Sequence, residues 1–292
     1  MKHSLSSLQT LRALLRLPRP LNGLITALSV GVGAFAAGAP QHHLYGAAPP
    51  PEVWWAALAA ALVAGAGNAL NDVADLEIDR INRPQRPLPA GHLSRGTALV
   101  QSVVLALTGT GIALWQGPAL GGMALLVTAA LVLYDLWLKR TALWGNLLVS
   151  ALAAAAFPFG ALAAGQLGRA WIPAGFAFLF HLGREIVKDL EDVEGDRAQG
   201  AHTLPLRAGA PFAAHLAAGI LFVLAVFTWW PWLGGIYGWT YLVPVLGVDS
   251  LLLWAAWRLL HDRAATPGAQ LSSRLKWGML LGLLAVVAGE AG

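Results

Sequence analysis

A helix needs about 20 consecutive, mostly apolar residues to cross a bilayer, because hydrocarbon offers the backbone no outside hydrogen-bond partner. Nine segments of this chain meet that requirement, at 20–38, 53–72, 97–115, 119–138, 143–164, 170–188, 209–229, 238–260 and 271–289. Turn-forming runs such as Gln116-Gly117-Pro118 and Trp230-Pro231-Trp232-Leu233-Gly234 separate them into hairpins. Composition agrees: of 292 residues, 57% are hydrophobic and 12% charged, with a mean hydropathy of +0.61. A soluble domain carries about 25% charged residues. The expected fold is an all-α integral membrane bundle of nine transmembrane helices, forming one domain over residues 1–292. Residues 1–19, basic and without a small-residue cleavage site, read as a cytoplasmic amphipathic lead-in. The absence of cysteine excludes disulfides and thiolate metal sites, and a net charge of +4 spread over loops gives no footprint for nucleic acid.

Charge placement sets the orientation. With nine spans, every Lys and Arg except Arg169 falls at the end of the bundle that carries the N-terminus. The positive-inside rule makes that end cytoplasmic, with the C-terminus outside. Trp54, Trp55, Trp171, Trp229, Trp230, Trp232 and Trp239 lie near outer helix ends, and Trp137 and Trp144 near inner ones. That is the pattern of an interfacial aromatic belt.

Two short stretches gather most of the chain's carboxylates: Asn71-Asp72-Val73-Ala74-Asp75-Leu76-Glu77-Ile78-Asp79 and Lys188-Asp189-Leu190-Glu191-Asp192-Val193-Glu194-Gly195-Asp196. Both fall at cytoplasmic helix ends, the second and the sixth. Unpaired acids there cost several kcal/mol, so the clusters call for cations. Helical spacing stacks Asn71, Asp75 and Asp79 on one face, with Asn68 a turn earlier. It likewise stacks Asp192 and Asp196, with Asp189 and Glu185 preceding. Asp72, Glu77, Glu191 and Glu194 point elsewhere, towards solvent or local ion pairs with Arg80, Arg184 or Lys188. Each stretch continues into Asp-Arg and then Leu-Pro, at Asp79-Arg80 with Leu88-Pro89 and at Asp196-Arg197 with Leu204-Pro205, which hints at a diverged internal repeat.

Carboxylates and an amide at this spacing are hard oxygen ligands of the kind Mg²⁺ takes, usually one or two carboxylates together with phosphate oxygens and water. Two such faces across a cavity can hold two metal ions with a diphosphate between them, and so assist its departure from an allylic carbon. Arg83, Arg86, Lys139, Arg140 and Lys188 share the cytoplasmic level and supply donors for phosphate oxygens. The loops at 80–96 and 197–208 are long enough to cap the site against water.

Asn71-Asp72-x-x-Asp75-x-x-x-Asp79, with Asn82-Arg83-Pro84-x-Arg86-Pro87-Leu88-Pro89-x-Gly91 behind it, resembles the first signature of the UbiA-type intramembrane prenyltransferases. Tyr134-x4-Lys139-Arg140 and Asp192-x3-Asp196 resemble later ones, and Arg19-Pro20-x-Asn22 leads into the first helix in the family's manner. The resemblance implies nine helices around a central cavity that opens sideways to lipid, with cytoplasmic cap loops. It implies Mg²⁺ and an allylic isoprenoid diphosphate between the acids, held by Asn71, Asp75, Asp79, Asp192 and Asp196. Asp72 and Asp189 support the metal ligands and Asn68 the substrate. Arg86, Lys139, Arg140 and Lys188 hold diphosphate oxygens, with Tyr134 and Arg184 also facing the substrate. Catalysis then rests on Asp75, Asp79, Asp192 and Asp196.

The acceptor is narrowed by the run Arg184-Glu185-Ile186-Val187-Lys188-Asp189-Leu190-Glu191-Asp192, which is similar to the branch that geranylgeranylates geranylgeranylglyceryl phosphate in ether-lipid synthesis. On that reading the donor is geranylgeranyl diphosphate and the acceptor a lipophilic phosphate. Its phosphate would find spare cations in Arg184, Arg207, Arg16 or Arg19. Two alternatives stand beside it. One keeps the chemistry and prenylates an aromatic ring, such as 4-hydroxybenzoate, homogentisate or a naphthoate. The other is an ion-coupled transporter, which places its charges near the midplane. Only Asp249, deep in the eighth segment, fits that placement, and it reads more simply as polar glue between helices. His181 and His202 lie near the second motif without an assigned role.

Overall fold

The structure is a computed structural model that describes residues 7–38, 49–198, 200–261 and 271–291. Lys2 and Arg263, which belong to the charge pattern, lie outside the described residues, as do residues 1–6 of the lead-in. Among the described residues every regular element is a helix. The first half comprises α1 (Ser7–Arg16), α2 (Pro20–Ala36), α3 (Pro51–Ala74), α4 (Leu76–Asn82), α5 (Arg95–Gln116) and α6 (Pro118–Leu136). Next come α7 (Trp144–Ala154), α8 (Ala156–Ala163), α9 (Trp171–Glu191), α10 (Val193–Ala198) and α11 (Leu204–Ala208). The chain ends in α12 (Ala210–Phe227), α13 (Trp230–Leu233), α14 (Leu242–His261) and α15 (Leu271–Ala291).

Seven of the resulting helical stretches are long and apolar enough to cross a membrane: α3, α5, α6, α7 with α8, α12 with α13, Trp239–His261 and α15. The chain is therefore a multi-pass membrane protein. Two expected spans fall outside that set for different reasons. Helix α2 has only 17 residues, about 25 Å at 1.5 Å per residue. Helix α9 is long enough but carries Arg184, Glu185, Lys188 and Asp189 in its last turns. The expected span at 143–164 is broken at Ala155, because Pro158 has no amide proton and its ring crowds the preceding turn.

Large apolar side chains point outward along the bundle, among them Leu107, Leu126, Phe222, Val226 and Val243. Such a surface suits lipid rather than water. Inside, Val30, Ala56, Ala113, Leu120 and Phe159 pack α2, α3, α5, α6 and α8 together. Leu190, Leu221, Leu252 and Leu275 do the same for α9, α12, α14 and α15. Helix α1 is tied down as well: Ala13 and Leu17 are buried against Ala69, Val73, Leu88 and Leu93.

Small residues set how closely α2 and α8 approach. A Cβ on Gly160 would lie 1.8 Å from the Val30 carbonyl oxygen, and one on Gly33 would lie 2.0 Å from that of Phe157. The two backbones touch there, as membrane helices do when small residues face each other.

Asp249 proves to be interhelical glue. Thr228 Oγ1 and Trp229 Nε1 each donate to it at 3.0 Å, joining α14 to the turn after α12. Tyr241 donates to the Thr228 carbonyl at 2.7 Å and completes the network. Trp229 thus serves packing rather than the aromatic belt, whereas Trp54, Trp137, Trp144, Trp171 and Trp239 are exposed as belt residues should be.

Adding one methyl at the crossing should cost about 1–3 kcal/mol or prevent folding. Gly160→Ala is expected to lower the unfolding temperature of the detergent-solubilised protein clearly. Gly175→Ala, which meets open space, should leave it nearly unchanged, and equal melting of the two variants would refute the close crossing.

Candidate active site

Both acidic stretches break their helices at an aspartate. Helix α3 stops at Ala74 and α4 starts at Leu76, leaving Asp75 at φ −90°, ψ 4°. Helix α9 stops at Glu191 and α10 starts at Val193, leaving Asp192 at φ −101°, ψ 5°. These angles lie in the bridge region, where many active-site residues are found. The hydrogen bonds nevertheless continue through each break. Asp75 N donates to Asn71 O at 2.8 Å and Asp79 N to Asp75 O at 2.8 Å. Asp192 N donates to Lys188 O and Asp196 N to Asp192 O, both at 3.0 Å. The two stretches are thus built alike, as their parallel sequences suggested.

They also meet. Helices α4 and α10 pack so closely that a Cβ on Gly195 would strike the Asn82 amide at 2.4 Å. Arg83 spans the junction, 2.8 Å from Asp192 and 3.7 Å from Asp79. Asp72, Asp75, Asp79, Asp192 and Asp196 are all buried. Arg86 reaches Asp79 at 2.5 Å and Asp72 at 3.3 Å. Lys139 contacts Asp75 closely and lies 3.9 Å from Asp135. Arg19 closes on Asp72, so this acid is covered by two arginines instead of facing solvent as expected.

The charge balance is uneven. Burial opposes ionisation of Asp75, but Lys139, Lys188 and Arg86 outweigh it and hold the carboxyl below its usual range. Burial raises the Asp79 carboxyl despite Arg86. Burial, then the charge of Asp192, pushes Asp196 up to about 6. Acids in this position are short of positive charge.

Beside the acids lies a cavity with an apolar depth and a charged end. Val63, Val127, Leu131, Leu152 and Phe159 line the depth. The charged end is formed by Arg19, Asn22, Asn68, Asn71, Tyr134, Asp135, His181, Arg184, Glu185, Lys188 and Lys276. Of the expected site residues, Asn68, Asn71, Tyr134, Arg184 and Lys188 therefore face the cavity, Asp75, Asp79, Asp192, Arg86 and Lys139 form the ion-pair cluster, and Asp196 is buried one turn beyond Asp192. Asp189 turns towards α7, where Asn146 donates to it at 2.8 Å. Arg140 has an exposed side chain, and its backbone carbonyl accepts from His202 N at 2.9 Å. Glu77 pairs with Arg80 as a local exposed ion pair. Glu191 accepts from Ser272 N at 3.0 Å and Ser272 Oγ at 2.5 Å, capping the start of α15.

Several further partners complete the site. Asp135 accepts from Asn71 at 3.1 Å, and Asn82 joins α4 to Asp192 through the backbone carbonyl at 3.4 Å. Glu185 binds both Arg184 at 2.6 Å and Lys188 at 3.5 Å. Asp135, four residues before Lys139, and Glu185, one turn before Asp189, carry a local signal in the sequence.

The donor set suits a hard divalent cation. Among the described residues no three acidic or histidine groups already enclose one point. Each motif instead offers paired carboxylates one helical turn apart, and Asp79 keeps a buried Oδ1 that accepts no hydrogen bond. A metal that completes its shell with phosphate and water needs no more protein oxygen than that.

A digeranylgeranylglyceryl phosphate synthase of Methanopyrus kandleri is 41% identical over 282 residues, which cover 95% of this chain and 99% of that protein. A solved structure of a digeranylgeranylglyceryl phosphate synthase in membranes superposes with a TM-score of 0.70 at 28% identity, covering 97% of this chain and 99% of its own. A UbiA homolog from Archaeoglobus fulgidus bound to GPP and Mg²⁺ shares the fold, with a TM-score of 0.65 at 16% identity over 96% of this chain and all of that one. The UbiA prenyltransferase family model matches residues 24–283. This chain belongs to the UbiA prenyltransferase family.

Proposed function

We propose that this protein transfers a geranylgeranyl group from geranylgeranyl diphosphate to the hydroxyl of geranylgeranylglyceryl phosphate, forming the second ether bond of an archaeal-type lipid. The observation that carries the reading is the convergence of α4 and α10, which brings two kinked acidic motifs and four cations to the charged end of an apolar cavity. The synthase relatives, similar over nearly the whole chain, support the acceptor.

Asp75 and Asp79 from one motif, and Asp192 and Asp196 from the other, would hold Mg²⁺, with Asn71 as an amide ligand and Asp72 in support, while Asp189 is committed to Asn146. Bound there, Mg²⁺ would neutralise the negative charge that builds on a departing diphosphate. Arg83, Arg86, Lys139 and Lys188 bind the diphosphate oxygens. The same side chains neutralise the acids, so a diphosphate that draws them away would leave the carboxylates to the divalent cation bound with it. Cleavage of the C1–O bond leaves the electron pair on diphosphate and an allylic cation on the prenyl chain. The acceptor oxygen then bonds to C1 and its hydroxyl proton is released. The buried acids, the apolar cavity wall and the loops at 80–96 and 197–208 keep water from capturing the cation.

Helices α2 and α9 complete a bundle of nine spanning helices, with the N-terminus and the acidic cluster on the cytoplasmic side. The charge pattern supports this: Arg169 alone falls at the other end, where it pairs with Glu290 at 3.0 Å.

Asp75→Ala and Asp192→Ala should each lower prenyl transfer by about 100-fold or more while leaving a folded protein. Turnover near that of the wild type in either variant would count against the assignment. Chelation of divalent metal should abolish transfer and added Mg²⁺ restore it, measured as product formed from labelled geranylgeranyl diphosphate. Offered geranylgeranylglyceryl phosphate and 4-hydroxybenzoate together, the enzyme should prenylate the phosphate lipid, and ring prenylation alone would establish the aromatic alternative.

A further inference from the structure

The cations at and beside the charged end of the cavity fall into two groups. Arg83, Arg86 and Lys139 face the acids of α4, α10 and the end of α3. Arg19, Arg184, Lys188 and Lys276 line the cavity itself, from the residue before α2, from α9 and from α15. Two of this second group are held in place by other side chains and backbone. Arg19 is the one described non-glycine residue with positive φ, at 54°, a conformation that L-residues adopt only when the surroundings enforce it. Its guanidinium lies on Asp72 and 3.5 Å from the Asn68 amide oxygen. Arg184 is fixed by the Ser272 carbonyl at 3.2 Å and by Glu185 at 2.6 Å. Ser272 and Lys276 are one turn apart, so both occupy the same face of α15.

Lys276 differs from its neighbours. It lines the cavity, and among the described residues it has no ion-pair partner. A lysine in a spanning helix is costly and seldom kept without a use. Asn22, which also lines the cavity, donates to Asn68 at 3.2 Å, while its own buried Oδ1 has no hydrogen-bond partner. The cavity thus offers surplus positive charge together with an unused acceptor, which matches a phosphomonoester carrying a free hydroxyl. Arg16 and Arg207, both exposed, do not contribute to it.

We propose that Arg19, Arg184 and Lys276 form a second anion subsite, beside the diphosphate cluster, that binds the phosphate of the acceptor and aims its hydroxyl at Asn22. The assignment rests on the reading of the acceptor as a glycerol phosphate lipid. It gives the two phosphate groups different cations, so donor and acceptor are distinguished by which of them they meet.

The test uses the full-length protein in detergent or lipid vesicles, with Lys276→Met and Lys276→Arg. At saturating geranylgeranyl diphosphate, Lys276→Met should raise the KM for the phosphorylated acceptor by about tenfold or more. The preference for that acceptor over its dephosphorylated alcohol should fall by the same factor, the KM for geranylgeranyl diphosphate should hold, and Lys276→Arg should recover most of the loss. Glycerol 1-phosphate alone should stabilise the wild type against heating and Lys276→Met less. Equal loss with both acceptors, or equal stabilisation of wild type and Lys276→Met, would overturn the subsite. A wild type that binds glycerol 1-phosphate through Lys276 but transfers no prenyl group to the phosphorylated lipid would overturn the acceptor reading and leave the subsite standing.

Discussion

The structure depends on neutralising buried carboxylates at one end of a membrane bundle. Asp72, Asp75, Asp79 and Asp192 lie where solvation is poor, and each is met by an arginine or lysine from another element. Removing one member of such a pair leaves an uncompensated buried charge, which costs about 3–5 kcal/mol. Those pairs also decide where the polypeptide goes. Arg19 pulls the junction of α1 and α2 onto α3, Arg86 folds the loop after α4 back over it, and Arg83 fastens α4 to the start of α10. The charged end is therefore both the site and the clasp of the bundle.

Much of this was legible from residue order. Spans of about 20 apolar residues give the helical membrane class directly, and the four-residue spacing of Asp75 with Asp79 and of Asp192 with Asp196 marks the acids that gather. The helix breaks at Asp75 and Asp192 were not legible, since neither position holds the proline or glycine that usually signals a break. Asp72 was misplaced for a related reason. Three residues before Asp75, it lies close to the same helical face, and chain elements far away in sequence bring Arg19 and Arg86 over it. The contacts of Asn71 with Asp135 and of Asn146 with Asp189 are likewise tertiary. Lys276 reads along the chain as one more topology-setting charge, and only the cavity separates it from the rest.

The second acidic motif is tied to the last helix by two polar contacts of opposite sense. Glu191 receives the amide and hydroxyl of Ser272, while the Ser272 carbonyl receives Arg184. Helix α15 therefore starts at a position fixed by α9, immediately beside Asp192. With Arg184 in both the cavity wall and this tie, packing of the final helix and the geometry of the site are one problem.

The paired breaks at Asp75 and Asp192 have a thermodynamic consequence. Hydrogen bonds run through both of them, so the backbone that carries each carboxylate is already ordered by the helices on either side. The conformational entropy of placing these ligands is lost when the chain folds, not when a ligand arrives. Selectivity among divalent cations then falls to carboxylate reach and to the shape of the phosphate, because the main chain has little freedom left to adapt to an ion of the wrong size.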